Sequence, residues 1–462
     1  MLSTKLALAL VVLLPVLIGL FVAHHEATQG DVPEMKDEWW GKGPHPKPDD
    51  KAILPFQVQV PESVIKDLGR RLNSTRYFTE LEDVQFQFGF RMSYMRKVVQ
   101  YWSTEYLPKW AMYEARLNKY PHFKTQIGGI MVHFLHIKPK LKPGQTSKPL
   151  LLLHGWPGSV YEFYNMISIL TDSTQGDVFE IVAPSIPGYG WSEASHRKGL
   201  DQIAASRLFV RLMDRLGIDQ FYVQGGDWGS LIARVISEMQ PQKILGLHVN
   251  LFNVSPLRTP KAFFKQIIAS YAPSLIMDEK DLWKVSNGYF GTLLYVISET
   301  GYMHIQATKP DTAGFGLTDS PVGLAAYILE KFSTWSNKEN RNAADGNLEK
   351  HFKIDDLLTN VMIYWTTNTI TSSMRFYKEL FQGDCFSLTQ RMLSTVPTAL
   401  ACFPHEIAPC PPKVLAKDMY INIVQYTDLP KGGHFGAFEQ PEILAQDIRN
   451  FVKKIQDRQN SK

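Results

Sequence analysis

The chain has 462 residues, of which 44% are hydrophobic and 20% are charged, and its formal net charge is +4. This composition supplies ample apolar side chains for a core and predicts one large globular domain with an insertion. The small charge and the lack of a basic stripe with interleaved aromatic residues argue against nucleic-acid binding. The three cysteines contain no Cys-x-x-Cys pair, and they predict neither a zinc site nor a disulfide framework.

The amino terminus begins with an apolar segment. Leu6–Ala23 carries no charged side chain, and at a rise of about 1.5 Å per residue its helix would be about 27 Å long, close to the thickness of a bilayer core. We therefore expect residues 1–23 to form a retained membrane anchor. A cleaved signal peptide is the alternative, although Phe21 stands where a small residue is wanted. The flanking charges leave the orientation of the span open.

Residues 24–120 are predicted to connect this anchor to the core. The stretch 24–50 is polar and rich in proline, which indicates a tether, and its two tryptophans could lie at the headgroup level or pack on the domain. The stretch 51–120 shows apolar residues at helical spacing and is predicted to be an extension that packs on the core and the insertion. This portion carries no obvious chemistry.

Residues 121–252 are predicted to form the first part of an α/β core. His122–Ile127 and Ile130–Ile137 flank Gly128-Gly129, which predicts a hairpin. Short apolar runs then alternate with amphipathic helical segments, a pattern typical of a mostly parallel sheet. The predicted strands of this alternation are 150–153, 179–183, 221–223 and 244–249.

The stretch 253–380 breaks the alternation and is predicted to be a helical lid over the strand ends. It is rich in aromatic residues, and glycine, proline and aspartate predict loops near 309–321. The second part of the core, 381–462, is predicted to supply strands at 398–403 and 420–426 and a closing helix at 438–454. Active sites of such sheets gather at the carboxyl ends of the strands.

One predicted strand runs directly into a chemically distinctive turn. The strand at 221–223 leads into Gly225-Gly226-Asp227-Trp228-Gly229, and an amphipathic helix follows. This is the Gly-x-nucleophile-x-Gly pattern of the nucleophile elbow of α/β-hydrolases, with a carboxylate, Asp227, in the middle position. A carboxylate that attacks carbon forms an ester, which must then be hydrolysed. A glycine-rich loop without chemistry is the alternative.

A matching acid and histidine follow the insertion in the order that α/β-hydrolases use. Glu406 comes beyond one predicted strand, and His434, with two glycines before it, comes beyond the next. We expect His434 to deprotonate water for ester hydrolysis while Glu406 orients it and stabilises its charge. Asp418 and Asp428 remain alternatives to Glu406.

A second loop fits the same machinery. His154-Gly155-Trp156-Pro157 follows the strand at 150–153, where the α/β-hydrolase fold supplies half of an oxyanion hole. The backbone N–H groups of Trp156 and Trp228 are the predicted donors. The chain thus contains both a nucleophile with its acid and histidine and an oxyanion loop, in the order that α/β-hydrolases use. This combination predicts an enzyme.

These motifs together resemble the microsomal-type epoxide hydrolases. The resemblance rests on the Gly-Gly-Asp-Trp-Gly-Ser, His-Gly-Trp-Pro-Gly-Ser and Gly-Gly-His-Phe runs and is strengthened by the segments 301–306 and 375–379. With the apolar amino terminus, the chain most resembles the insect juvenile hormone epoxide hydrolase branch. The resemblance implies an α/β-hydrolase fold and a reaction that converts a lipophilic epoxide to a diol.

The resemblance also implies the roles of individual residues. Asp227 would open the epoxide as the nucleophile, Tyr302 and Tyr377 would donate protons to the epoxide oxygen, and His434 with Glu406 would activate the water. Phenols suit this role because they stay protonated at neutral pH and donate hydrogen bonds. No metal, nucleotide or redox cofactor is implied.

The implied partners are a small lipophilic epoxide, water and, through the anchor, membrane lipid. The implied location is the endoplasmic reticulum membrane, crossed once, with the catalytic domain in the cytosol. Sequons at Asn73 and Asn253 would carry glycans if the domain were luminal. The alternatives are a general xenobiotic epoxide hydrolase, a haloalkane dehalogenase, and a non-catalytic lipid or hormone binder on the same fold.

Overall fold

The computed structural model describes residues 32–43, 48–174, 176–256, 258–285 and 288–461. The predicted anchor at 1–23 and part of the predicted tether lie outside these residues. Among the helices of the described residues, none is both long and apolar enough to cross a membrane. The tether tryptophans contact the core: Trp40 is buried and its backbone N–H donates to the Gly128 carbonyl at 2.7 Å.

A nine-stranded sheet organises the described residues. The strands are β1 (Leu54–Phe56), β2 (His122–Ile127), β3 (Ile130–Ile137), β4 (Ser147–Leu153), β5 (Val178–Pro184), β6 (Phe221–Gly225), β7 (Ile244–Asn250), β8 (Thr398–Cys402) and β9 (Ile423–Asp428). Their spatial order is β1-β2-β3-β5-β4-β6-β7-β8-β9. The pairs from β5 to β9 are parallel and those of β1, β2 and β3 are antiparallel. The prediction of a mostly parallel sheet is confirmed.

The centre of the sheet explains the apolar runs in the sequence. Leu150, Leu151, Leu152 and Leu153 of β4 are at most 1% exposed, as expected for a parallel strand that helices cover on both faces. Burial of one such side chain contributes about 1.5–3 kcal/mol. β4 and β6, which end in the two motif loops, lie side by side in the buried centre of the sheet.

Helices from the amino-terminal extension and the core pack around this sheet. The extension contains Glu62–Asn73, Met92–Tyr101 and Trp110–Leu117, and the core contains Tyr164–Leu170, Gln202–Arg215, Trp228–Met239, Lys413–Ala416, Gly436–Glu439 and Pro441–Asn460. The helices Gln202–Arg215 and Trp228–Met239 pack on each other, as do Tyr164–Leu170 and Pro441–Asn460. The two packed pairs contribute to the apolar core that encloses the sheet.

The residues between β7 and β8 form a helical insertion. Its helices are Pro260–Tyr271, Gly288–Glu299, Gly301–Thr308, Pro310–Asp319, Pro321–Thr334, Leu348–His351, Ile354–Thr367, Ile370–Phe381 and Cys385–Arg391. The prediction of loops near 309–321 is wrong, because Pro310 begins a helix where its missing N–H costs nothing. Gly314 allows that helix to approach Thr371 closely, since a Cβ there would lie 2.3 Å from the threonine hydroxyl.

One cysteine pair also departs from the sequence-based expectation. Cys402, the last residue of β8, is disulfide-bonded to Cys410, with their Cα atoms 5.6 Å apart. The prediction of no disulfide is wrong because it rested on short motif spacing, whereas the loop after β8 turns back and brings the two residues together. That loop carries Glu406. Cys385 is a free, buried thiol.

Candidate active site

Asp227 lies at the bend between β6 and the helix Trp228–Met239. Its backbone has φ 49° and ψ −126°, a conformation that is strained for a residue with a side chain. Two glycines permit the bend: a Cβ on Gly225 would lie 2.1 Å from the Gly229 carbonyl oxygen, and a Cβ on Gly229 would lie 1.9 Å from that of Leu153. The elbow is therefore packed backbone to backbone against β4, which fixes the position of the carboxylate.

The loop after β4 contacts this carboxylate directly. The backbone N–H of Trp156 donates a hydrogen bond to Asp227 Oδ1 at 2.8 Å. The backbone N–H of Trp228, the other predicted donor, makes no hydrogen bond to Asp227 within the described part of the chain. The structure thus brings one of the two predicted oxyanion donors into contact with the carboxylate.

The His154 ring stabilises this loop through contacts with two backbone groups. Its Nε2 accepts a hydrogen bond from the Ile186 N–H at 3.0 Å, and its Nδ1 lies 3.1 Å from the Gly155 carbonyl oxygen. Burial lowers the pKa of His154 to about 4, so the ring is neutral at physiological pH. A neutral imidazole satisfies both contacts, as an acceptor at Nε2 and a donor at Nδ1.

His434 lies between two carboxylates. Its Nδ1 is 2.6 Å from Glu406 Oε1, and its Nε2 is at ion-pair distance, 3.3 Å, from Asp227 Oδ2. Burial disfavours the charged ring, but the attraction of Glu406 and Asp227 outweighs burial and raises the pKa of His434 to about 10. In the resting site the ring is therefore an imidazolium that joins the two carboxylates.

The other two candidate acids are engaged elsewhere. Asp418 pairs with Lys265 at 2.6 Å, and Asp428 pairs with Lys284 at 2.7 Å. Of the three acids that the sequence left open, Glu406 is the one in contact with His434. The geometry therefore favours Glu406 as its orienting partner.

A glutamate that sequence reasoning missed holds the histidine loop in shape. The carboxylate of Glu439 accepts hydrogen bonds from the Gly433 and Phe435 N–H groups at 3.1–3.2 Å. The His434 N–H donates to the Trp335 carbonyl at 3.0 Å, and the Trp335 ring packs edge-on against the imidazole. The only sequence signal for Glu439 is an acidic side chain in an otherwise apolar turn.

Tyr302 and Tyr377 both face the elbow from the insertion. The Tyr302 ring stacks on Trp156 with centroids 5.3 Å apart, and the Tyr377 ring packs edge-on against Trp228 at 4.5 Å. The two tyrosine rings are 5.9 Å apart. Burial, with a further contribution from the negative charge of Asp227, raises the pKa of each phenol well above its usual value. Both are therefore protonated donors.

Two further residues that the sequence did not reveal bind the insertion to the oxyanion loop. Asn360 donates to the Pro157 carbonyl at 2.8 Å and accepts from the Ser159 hydroxyl at 2.9 Å. The Tyr364 hydroxyl donates to the Gly158 carbonyl at 2.7 Å. These residues lie about 200 positions from their partners, so no local sequence pattern could have paired them.

A small cavity with both polar and apolar lining borders the carboxylate and the imidazole. Its volume is ≈ 20 Å³, and its lining includes Glu162, Gln224, Asp227, Asn250 and His434. A space of this size holds about one water molecule. No group of three or more histidine, cysteine, aspartate or glutamate side chains that could hold a metal occurs in the part of the chain that the structure describes.

The fold and this site define an α/β-hydrolase with an aspartate at its elbow. Residues 53–163 match the family described as "Epoxide hydrolase N terminus", and residues 148–266 match the family described as "alpha/beta hydrolase fold". The chain is 47% identical over 426 residues to Epoxide hydrolase 1 of Sus scrofa, which covers 90% of this chain and 92% of that protein.

Insect proteins are similar to a comparable degree. Identity to Juvenile hormone epoxide hydrolase 2 of Ctenocephalides felis is 44% over 455 residues, or 97% of this chain and 96% of that protein. The crystal structure of juvenile hormone epoxide hydrolase from the silkworm Bombyx mori superposes with a TM-score of 0.87 at 42% identity, covering 92% of this chain and 99% of that chain. The chain therefore belongs to the epoxide hydrolases and is an enzyme that hydrolyses epoxides.

The backbone contact at the elbow gives a stability prediction. In Gly229→Ala the new Cβ would meet a backbone oxygen at 1.9 Å, so β4 and the elbow must separate, which costs at least about 1–3 kcal/mol. Gly316→Ala is the matched control, because a Cβ there meets nothing within 4 Å and the position lies inside a helix. Thermal unfolding should show a lowered midpoint for the first variant and an unchanged or raised midpoint for the second. Equal midpoints would show that the elbow has room for a side chain and would contradict the close backbone packing.

Proposed function

We propose that the enzyme opens epoxides through a covalent ester on Asp227 and hydrolyses that ester with water activated by His434. The observation that carries the proposal is the imidazole ring in contact with both Asp227 and Glu406. The N–H of Trp156 on the opposite carboxylate oxygen supports it, because a donor at that position would stabilise an oxyanion on the same carbon.

The first half-reaction uses the carboxylate oxygen that the oxyanion loop does not hold. Asp227 Oδ1 accepts from the Trp156 N–H, whereas Oδ2 faces the His434 ring. Oδ2 attacks an epoxide carbon, and the carbon–oxygen bond of the ring breaks. Tyr302 or Tyr377 gives its proton to the leaving oxygen, which an alkoxide needs because it is a poor leaving group. The imidazolium of His434 then restores the phenol proton, so the ring becomes neutral. In this proposal the helical insertion is a lid that supplies the acid.

Loss of charge on Asp227 prepares the second half-reaction. The ester is neutral, so one of the two carboxylates that raise the pKa of His434 is removed and this pKa falls. The neutral ring accepts a proton from water while the water oxygen bonds to Asp227 Cγ. The tetrahedral intermediate then collapses, the imidazolium protonates the departing diol oxygen, and the new carboxyl proton passes to His434. The imidazolium–carboxylate pair is thereby restored.

The two half-reactions separate in an acid-quench assay of the intact protein mass. His434→Gln should still be alkylated by an aryl epoxide such as styrene oxide but should hydrolyse the ester at least about 100-fold more slowly, because general-base catalysis contributes at least that much. An adduct at Asp227 should therefore accumulate. Asp227→Asn should give neither adduct nor diol. Absence of any adduct in His434→Gln would contradict the ester route.

The same assay tests the tyrosines. Tyr302→Phe combined with Tyr377→Phe should slow formation of the adduct far more than either change alone, because either phenol can protonate the epoxide oxygen in the absence of the other. Tyr327→Phe is the matched control, since its ring also packs on Trp156 but its hydroxyl accepts a hydrogen bond from Gln306. An unaltered rate in the double variant would assign the proton donor to another group.

We propose a lipophilic epoxide of the juvenile hormone type as the substrate, with a general xenobiotic epoxide as the second candidate. The aromatic rings of Trp156, Trp228, Tyr302 and Tyr377 enclose the elbow and favour an apolar substrate. Relatives named for the hormone and relatives named only as epoxide hydrolases have similar identities to the chain, so sequence identity does not separate the two candidates.

A direct comparison of substrates tests this choice. The hormone carries an epoxide and a methyl ester, and its long apolar chain buries more surface than styrene oxide at about 25 cal/mol per Å². The kcat/KM for juvenile hormone should therefore exceed that for styrene oxide, and the product should be a diol with an intact methyl ester. A higher kcat/KM for styrene oxide would favour the xenobiotic candidate.

We further propose that residues 1–23 anchor the enzyme in the endoplasmic reticulum membrane, with the catalytic domain in the cytosol. The apolar, uncharged sequence of Leu6–Ala23 supports the anchor. The Cys402–Cys410 disulfide favours an oxidising compartment such as the lumen, so the side of the membrane needs a direct test. The sequon residues Asn73 and Asn253 are exposed on the domain, so both are accessible to the glycosylation machinery of the lumen. Expression in insect cells should give protein whose mass is unaffected by a glycosidase; a mass shift would place the domain in the lumen.

A further inference from the structure

A second carboxyl group faces the reacting atoms, and the proposed ester mechanism does not use it. Glu162 lies in the turn Val160–Phe163, just after the oxyanion loop. Its carboxyl group borders the ≈ 20 Å³ cavity together with Asp227 and His434. An acid in this position needs an explanation, because an uncompensated carboxyl group is costly to enclose in protein.

The oxyanion loop is shaped to admit both carboxyl groups. A Cβ on Gly155 would lie 2.3 Å from Asp227 Oδ1, and a Cβ on Gly158 would lie 2.9 Å from Glu162 Oε2. Any side chain at either position would displace the neighbouring carboxyl group. Because neither glycine carries a side chain, the carboxyl groups of Asp227 and Glu162 can both approach the backbone of this loop.

The side-chain amide of Gln224 also lines the cavity. Gln224 donates from Nε2 to Asn250 Oδ1 at 2.9 Å, which fixes its amide, while its buried Oε1 has no hydrogen-bond partner among the described residues. A water needs two to four polar partners. Here it would meet the imidazole of His434, an oxygen of Glu162 and this amide oxygen.

Either protonation state of Glu162 suits such a role. Burial raises its pKa to about 8, with the attraction of His434 opposing and the repulsion of Asp227 adding to this effect. In the ester state Asp227 and His434 are both neutral, so the attraction and the repulsion disappear together and burial keeps the pKa of Glu162 raised. A carboxyl group retains an oxygen that accepts a hydrogen bond from water whether or not it carries a proton.

We propose that Glu162 is the residue that positions the hydrolytic water, which it holds in this cavity against Asp227 Cγ. The inference rests on the proposed ester mechanism and deepens its second half. One water hydrogen goes to His434 Nε2 as the oxygen bonds to Cγ, and the other is held by the Glu162 carboxyl group. Glu162 neither gains nor loses a proton overall, and epoxide opening does not involve it.

Rapid-quench single turnovers with styrene oxide test the proposal, with adduct formation and adduct decay measured separately on intact protein. Glu162→Ala should form the adduct at the wild-type rate and hydrolyse it more slowly, on the order of 100-fold, as expected when a reactant loses its position. Glu162→Gln keeps the volume and one acceptor oxygen, so it should hydrolyse the adduct faster than the alanine variant. Glu238→Gln, which changes a buried carboxyl group in the helix Trp228–Met239, should leave both rates unchanged.

The outcomes distinguish a failure of the role proposed for Glu162 from a failure of the ester mechanism. Wild-type decay of the adduct in Glu162→Ala would overturn the assignment of Glu162, and so would an equal loss in both rates, which indicates a structural role. His434→Gln is run in parallel as the reference. If that variant accumulates adduct while the Glu162 variants do not, the ester mechanism stands and the inference falls. If no variant accumulates adduct, both fall.

Discussion

The site depends on one ring held between two carboxylates. His434 contacts Glu406 through Nδ1 and Asp227 through Nε2. Both carboxylates stabilise the positive charge of the imidazole ring. Glu406 takes no part in the bond changes of the proposed cycle, whereas Asp227 loses its charge when it becomes an ester. The same ring can therefore be an imidazolium beside the free nucleophile and a neutral base beside the ester, without any movement of the protein.

The fold places these groups by bringing four strand ends to one edge of the sheet. The loops after β4, β6, β8 and β9 supply Trp156, Asp227, Glu406 and His434. The strand ends are fixed by burial in the core, while the loops are fixed by polar contacts of their own, such as Glu439 with the histidine loop. The helical insertion is joined to the oxyanion loop by hydrogen bonds from Asn360 and Tyr364. Residues far apart in the chain thus share one rigid frame.

Local pattern was sufficient for most of the sheet and for the residues that follow its central strands, but it did not predict the short edge strand β1 (Leu54–Phe56). The hairpin at Gly128-Gly129, the elbow, and the acid and histidine of the last two strands are linear signals, because strand order fixes which loops meet. The predicted strand at 420–426 was displaced toward the amino terminus, since β9 is Ile423–Asp428. Of the apolar residues just before β9, Tyr420 is buried and Ile421 is exposed, and neither belongs to the strand.

What the sequence did not reveal depends on contacts between distant segments. The Asn360–Ser159 hydrogen bond, the place of Glu162 in the cavity and the Cys402–Cys410 bond arise only when loops fold back on one another. The helix Pro310–Asp319 was hidden for a different reason. Its one proline and two glycines resemble loop composition. The close approach to Thr371 that makes a glycine useful there is a tertiary feature.

A single turnover in oxygen-18 water, with enzyme in excess over epoxide, tests the central claim most directly. If a covalent ester precedes the attack of water, the heavy oxygen should enter the carboxylate of Asp227, and the released diol should contain only ordinary oxygen. A labelled diol beside an unlabelled protein would show that water attacks the epoxide itself, and the roles assigned to the paired carboxylates would then be wrong.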